Sequence, residues 1–89
     1  MNDRFAQVVT PHLKFLGDRP LTPEASLSAL GMDSMQAINV LFDLEDAFEV
    51  SLPDDELNEQ TFATVGSLWA ALFRAADAQG VALEERAAA

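Results

Sequence analysis

Three stretches of this chain space their apolar residues at the three- and four-residue intervals of an α-helix. No stretch shows a convincing alternation of apolar and polar residues, the pattern of a half-buried β-strand. With 89 residues, 49% of them hydrophobic and no cysteine, the chain can form one domain whose stability must come from packing. The sequence therefore predicts an all-α fold, a four-helix bundle with three longer helices, one short helix and a long loop between the first two.

Proline and glycine delimit the first predicted helix and the long loop. The helix is expected over about 3–16, and Pro11 should bend or divide it, with Thr10 capping the second part. A loop over 17–33 follows, because Gly17 and two prolines interrupt the helical pattern. The apolar residues of this loop should pack against the helices; they are Leu21, Ala25, Leu27 and Leu30.

The remaining predicted helices have clearer ends. The second runs over about 34–49, and a short helical turn follows over 54–57. Thr64 should cap a last helix that continues to about Ala78, and Gly80 should end it. The apolar face expected for this last helix consists of Val65, Leu68, Trp69, Leu72, Phe73 and Ala76.

Acidic residues dominate the charge, with 15 acids against 5 Lys and Arg and a net charge of −10. No Lys or Arg occurs between Arg19 and Arg74. Such a field repels nucleic acid and anionic lipid and attracts basic protein surfaces, so we expect protein partners and neither nucleic acid nor membrane. We expect a domain over 1–80 and a disordered tail over 81–89. Because the N-terminus lacks a signal-peptide pattern, a cytoplasmic location is predicted. We also expect a monomer.

The second predicted helix carries apolar residues on two sides. At 100° per residue, its core stripe consists of Ala37, Val40, Leu41, Leu44 and Phe48. Met35, Ile38 and Phe42 fall on another side, beside Glu45 and Asp46. Either the helix is buried over more than one stripe, or this second side docks partner proteins that its charges attract.

Ser34 stands where the second helix begins, directly after Asp33. As a helix cap, it would contribute about 0.5–2 kcal/mol to stability, which alanine would remove. A second interpretation is that the hydroxyl carries a phosphate-linked group, because a helix N-terminus favours a phosphodiester. Gly31 permits a tight turn that would leave the hydroxyl accessible to a modifying enzyme.

Three motifs occur in order: Gly31-Met32-Asp33-Ser34-Met35, then Leu44 to Val50 followed by Leu52-Pro53-Asp54, then Thr64-Val65. Together they resemble the phosphopantetheine-dependent acyl and peptidyl carrier proteins, in their free-standing form. The resemblance implies that Ser34 carries 4′-phosphopantetheine and that Asp33 is its motif neighbour. It also implies partner binding by Met35, Ile38, Phe42, Glu45 and Asp46.

The resemblance implies a carrier that presents thioester-bound acyl or aminoacyl groups to enzymes and is not an enzyme itself. Its partners would be a phosphopantetheinyl transferase, an acyl- or aminoacyl-activating ligase, and downstream transferases or synthases. Gln36 and Asn39 replace acids usual in fatty-acid carriers, which favours a specialised polyketide or nonribosomal peptide-type pathway. A fatty-acid carrier and an unmodified acidic adaptor for a basic protein remain alternatives.

Catalysis and metal binding have little support in the sequence. His12 is the only histidine, and it lies on the apolar side of the first predicted helix, where a hydrogen-bonded boundary residue is expected. The residues around Ser34 lack the Gly-x-Ser-x-Gly elbow of hydrolases. The acids after Pro53 lack the spacing of a calcium loop, so no metal site is predicted.

Overall fold

The computed structural model describes residues 3–17 and 21–81, and their secondary structure is helical. The α-helices are α1 (Asp3–Val9), α2 (Ser34–Phe48) and α3 (Val65–Ala78), and 3-10 turns occupy Thr10–His12 and Asp54–Glu56. Extended pairing in the described ranges is limited to one isolated bridge between Ser26 and Thr64. The all-α prediction is confirmed, and the predicted short fourth helix takes the form of a three-residue 3-10 turn.

The first helix is shorter than predicted. It ends at Val9, because Pro11 lacks the N–H that would continue the ladder and its ring would collide with the carbonyl four residues earlier. The chain continues as a 3-10 turn, in which Leu13 N–H donates to Thr10 O at 3.0 Å. Val9 rather than Thr10 stands at the capping position of that turn, so the predicted restart capped by Thr10 is wrong.

The core lies between the three α-helices, and the long loop contributes to it. Its largest fully buried side chains are Phe5, Val9, Leu27, Val40, Leu44, Phe48, Val50, Val65, Leu68 and Leu72. Leu30 is also buried, and Leu21 and Ala25 pack against the core. The expectation that the loop would pack down on the helices is therefore confirmed.

The buried face of α3 is rotated from the predicted one. Ala71 and Ala75 are buried, whereas Phe73 is 50% exposed, so its assignment to the core face is wrong. Small alanine side chains can fill positions close to the neighbouring helices that a phenyl ring cannot enter. The ring centroid of Phe73 instead lies 6.3 Å from that of Trp69. Trp69 in turn makes an edge-on contact with Phe5, with 5.0 Å between their ring centroids.

Backbone hydrogen bonds fasten the long loop to the start of α3. Val65 N–H donates to Ala25 O at 3.0 Å, and Gly66 N–H donates to Pro23 O at 2.9 Å. These bonds satisfy amides that a helix start leaves without intrahelical partners. A Cβ at Gly66 would lie only 2.9 Å from Pro23 O, so the approach requires glycine. The predicted Thr64 cap is confirmed, in a capping box with Ser67.

The segments that follow the C-terminal ends of α2 and α3 are also joined by hydrogen bonds. The Gln79 amide accepts from Ser51 N–H at 3.0 Å and donates to Ser51 O at 2.6 Å. Gly80 adopts φ +73°, and Val81 N–H donates to Ala76 O at 2.8 Å, which confirms that Gly80 ends α3. Val81 packs against the core, and the rest of the predicted tail, 82–89, lies outside the described residues. Within the described ranges, every helix is too short or too polar to cross a bilayer.

Candidate functional site

Asp33, and not Ser34, caps α2. Asp33 is extended, and its Oδ1 accepts the N–H of Gln36 at 2.8 Å while its carbonyl accepts that of Ala37 at 2.9 Å. Ser34 is the first helical residue and is exposed. The expectation that Ser34 is the cap is therefore wrong, because the neighbouring carboxylate takes that position. The hydroxyl group is left outside the cap, on the surface.

The turn before Ser34 is held in place by its own backbone. Gly31 has φ +100°, a conformation that glycine adopts without strain. Its N–H donates to Ser28 O at 3.1 Å, and Met32 N–H donates to Leu27 O at 3.0 Å. Since Leu27 N–H in turn donates to Ala63 O at 3.1 Å, the turn that presents Ser34 is anchored to the residues that precede α3.

A groove of about 770 Å³ opens beside Ser34. One wall is the first half of α2, and the other is the segment that follows the second 3-10 turn. The lining residues from α2 are Ser34, Ala37, Ile38 and Leu41, and those from the facing segment are Leu57, Asn58, Glu59, Phe62 and Ala63. Apolar side chains make up most of the surface of the groove, and its polar members are Ser28, Asp33, Ser34, Asn58 and Glu59. A ligand attached to Ser34 would therefore have an apolar surface within reach.

The outer side of α2 carries the exposed apolar residues that the sequence predicted. Met35 is 75% exposed, Ile38 53% and Phe42 61%, whereas Val40 and Leu44 on the inner side are fully buried. The interpretation that α2 is buried over more than one stripe is therefore wrong for these three residues. Large exposed apolar side chains that cluster on one surface are typical of interaction sites.

The carboxylates of α2 differ in their surroundings. Glu45 is half-buried, and its Oε2 accepts the N–H of Leu52 at 2.8 Å, so this side chain holds the chain that follows α2. Asp46 is exposed beside the apolar residues. The structure thus separates two acids that the sequence grouped together, giving Glu45 an intramolecular contact and leaving Asp46 at the surface.

His12 fastens the first 3-10 turn to α2. Its Nε2 lies 2.7 Å from Asp43 Oδ2, and its Nδ1 lies 2.9 Å from Gln36 Oε1. This confirms the expectation of a hydrogen-bonded boundary histidine. It also gives Gln36, one of the departures from the fatty-acid carriers, a structural contact two residues after Ser34.

Two exposed apolar residues near the site were missing from the sequence interpretation. Leu57 is partly exposed and lines the groove. Phe15 is 65% exposed, and its N–H donates to Leu30 O at 2.9 Å. Leu57 was predicted as the last residue of a short helical turn, and Phe15 lay within the predicted first helix. Neither was assigned to the site, because a short turn has no periodic face and the first helix ends at Val9, before Phe15.

Comparison with known proteins places the chain in a family. The family model described as "Phosphopantetheine attachment site" matches residues 12–72. An aminoacyl carrier protein of Agrobacterium fabrum is 31% identical over 65 residues, which cover 73% of this chain and 71% of that protein. Acyl carrier protein 4, chloroplastic, of Arabidopsis thaliana is 32% identical over 62 residues, which cover 70% of this chain and only 44% of that protein.

Solved structures show the same fold. A chain in a crystal structure of an engineered Bradyrhizobium japonicum glycine:carrier protein ligase, complexed with carrier protein from Agrobacterium tumefaciens and AMP, matches with a TM-score of 0.68 and 24% identity. The match covers 82% of this chain and 99% of that one. The corresponding complex with ATP gives a TM-score of 0.61 and 26% identity, covering 80% and 97%. On the family match over residues 12–72, the chain belongs to the phosphopantetheine-binding carrier proteins, whose cofactor is 4′-phosphopantetheine and which are not themselves enzymes.

Proposed function

We propose that this protein holds an aminoacyl group as a thioester on a 4′-phosphopantetheine arm attached to Ser34, and presents it to partner enzymes. The observation that carries the assignment of Ser34 is that the residue before it, Asp33, caps α2 and leaves the Ser34 hydroxyl exposed. Asp33 supplies the cap, so esterification of the Ser34 hydroxyl removes no capping hydrogen bond from the helix. The arm supplies the thiol that bears the cargo.

The residues around Ser34 fit such a group. A phosphodiester on the first residue of a fifteen-residue helix lies at the positive end of the helix dipole. The Asp33 carboxylate is a negative charge that would repel the phosphodiester. It is, however, engaged by the N–H of Gln36 in the first turn of the helix. The groove beside Ser34 offers apolar surface to the arm and its cargo, with Ile38 and Leu57 on opposite walls.

An aminoacyl cargo is favoured over a fatty-acyl one. The aminoacyl carrier protein of Agrobacterium fabrum matches 73% of this chain and 71% of its own length. The structural matches come from complexes of carrier proteins with a glycine-activating ligase. We therefore propose an amino acid:carrier protein ligase as the loading partner, in a specialised pathway, with fatty-acid synthesis as the alternative.

Partner enzymes would dock on the outer side of α2. Met35, Ile38 and Phe42 supply apolar contacts there, and exposed Asp46 attracts a basic partner surface. Glu45 supports this side indirectly, because it holds the chain after α2 through Leu52 N–H. The downstream enzymes, the monomeric state, the cytoplasmic location and the four-helix description of the fold remain predictions from the sequence.

Mass spectrometry of the intact protein tests the attachment site. After incubation with CoA and a phosphopantetheinyl transferase, the wild-type protein should gain the mass of one arm, and Ser34→Ala should gain none. Ser34→Ala should also melt within a few degrees of the wild type, because Asp33 keeps the cap and alanine is a good helix former. Ser28→Ala is the matched control, since Ser28 is an exposed serine that lines the same groove.

The outcomes separate the candidate functions. An arm on Ser34→Ala would contradict the assignment of Ser34. A wild-type protein that takes no arm would favour the unmodified adaptor instead. Loading of the modified protein by a carrier protein ligase, across a panel of amino acids and carboxylic acids, then identifies the cargo class. Preference for carboxylic acids without an amino group would contradict the aminoacyl proposal.

A further inference from the structure

Phe15 is an exposed apolar residue that packs against the turn before Ser34 and does not line the groove. Its backbone is fixed by the hydrogen bond from its N–H to Leu30 O at 2.9 Å. Its ring packs over Gly31, where an added Cβ would lie 3.2 Å from Phe15 Cδ2 and 3.0 Å from Lys14 Cβ. Glycine at position 31 therefore lets the segment that carries Phe15 lie directly against the turn.

This contact places Phe15 close to the modified residue. Gly31 and Ser34 are three residues apart, so even a fully extended chain separates their Cα atoms by no more than about 11 Å. A specific protein interface covers about 800 Å² on each partner, equivalent to a disc about 16 Å in radius. A partner whose footprint is centred on Ser34 is therefore large enough to reach Gly31 and the ring that packs on it.

The chemistry of Phe15 suits such a contact. It is 65% exposed, comparable to Phe42 on the outer side of α2. Aromatic residues, phenylalanine included, are enriched in the cores of protein interfaces. Phe15 and Phe42 lie on different elements, one before the Ser34 turn and one after it. A partner that contacts both rings would be held on two sides of Ser34. A partner that contacts α2 alone would be held on one side only.

We propose that the phosphopantetheinyl transferase binds Phe15 in an apolar pocket as a second anchor, in addition to the outer side of α2. This enzyme is the partner that must bring its own reactive centre to the Ser34 hydroxyl, whatever cargo the carrier later receives. The inference rests on the proposed function. It makes Phe15 a positioning residue, which acts through the orientation of the docked enzyme and does not touch the reacting atoms.

Steady-state kinetics of arm transfer test the proposal, with CoA and a broad-specificity phosphopantetheinyl transferase as the probe. Phe15→Ala should lower kcat/KM about tenfold, mainly through a higher KM, with a melting temperature close to that of the wild type. Phe15→Gln keeps a side chain of similar reach but removes the ring, and should show the same loss. Phe15→Leu keeps apolar contact and should recover part of it.

Phe73→Ala is the matched control, because Phe73 is an exposed phenylalanine on α3 whose ring contacts Trp69. It should leave kcat/KM within twofold of the wild type. If Phe15→Ala or Phe15→Gln folds and accepts the arm as efficiently as Phe73→Ala, the proposal is wrong and the proposed function stands. If the wild-type protein accepts no arm, both fail together.

Discussion

The two sides of α2 carry similar apolar side chains, but one side is buried and the other is exposed. Val40, Leu44 and Phe48 on the inner side are fully buried, whereas Ile38 and Phe42 on the outer side are more than half exposed. Both sides are apolar, so hydrophobicity alone does not decide which residues form the core. The difference lies in where each side points, because the inner side belongs to one buried cluster with residues of α1, α3 and the long loop.

The comparison shows how one helix can serve two purposes. Burial of a large apolar side chain contributes about 1.5–3 kcal/mol, and the inner side realises this gain when the chain folds. The outer side can realise a similar gain only when a second protein covers it. Substitutions along α2 should therefore divide between those that change stability and those that change binding.

The largest effect is expected at Leu44. Leu44→Ala should destabilise the protein by about 2–5 kcal/mol, because it removes a fully buried side chain and leaves a cavity between the helices. Urea unfolding followed by circular dichroism measures the free energy of unfolding. A loss of only a few tenths of a kcal/mol would show that the two sides of α2 differ less than their burial indicates.

A smaller loss of stability is expected at Glu45, on the border between the two sides. Glu45→Ala removes the acceptor of the Leu52 N–H and should cost about 1 kcal/mol. Hydrogen exchange measured by NMR should show faster exchange of the Leu52 amide than in the wild type. Unchanged exchange of that amide would contradict the structural role of Glu45 and return it to the predicted docking residues.

Phe42 should affect binding rather than folding. Phe42→Ala should change the free energy of unfolding by no more than about 0.5 kcal/mol, because the ring is largely exposed. Arm transfer or ligase loading should slow, since the partner loses an apolar contact. Collapse of the fold in this variant would show that the ring belongs to the core and that the docking surface lies elsewhere.

The smallest effect is expected at Asp46. Asp46→Asn should leave stability unchanged and should reduce the dependence of the loading rate on salt, because steering between charges is screened over about 8 Å at physiological ionic strength. Asp77→Asn is the control, since it removes the same charge from an exposed position on α3. Equal salt dependence in the two variants would mean that only net charge matters.

The sequence was sufficient for features that depend on local periodicity. The observed α2, Ser34–Phe48, ends within one residue of the predicted helix, and both of its apolar sides were identified. The start of α3 at Val65 followed from the Thr64 cap. These features need only helical spacing and a side chain that competes for the first amides of a helix.

Features that depend on tertiary contacts were not accessible in the same way. Asp33 and Ser34 are both residue types that cap helices well. Helical spacing alone does not tell which of the two stands at the capping position and which is the first helical residue. The hydrogen bond from Leu52 to Glu45 and the contact of His12 with Asp43 join positions that periodicity does not relate. The groove depends on the path of residues 57–63, which carry no helical pattern.

The hydrogen bonds that tie the long loop to the start of α3 also determine how a tethered cargo moves. Because the turn before Ser34 is fixed through Leu27 and Ala63, an arm on Ser34, as proposed above, would be attached to the folded body and not to a loose segment. The thiol would then sample a shell around a fixed centre, with a radius set by the arm. The effective concentration of cargo at a docked active site would depend on arm length and docking geometry, and would not be diluted by motion of the loop.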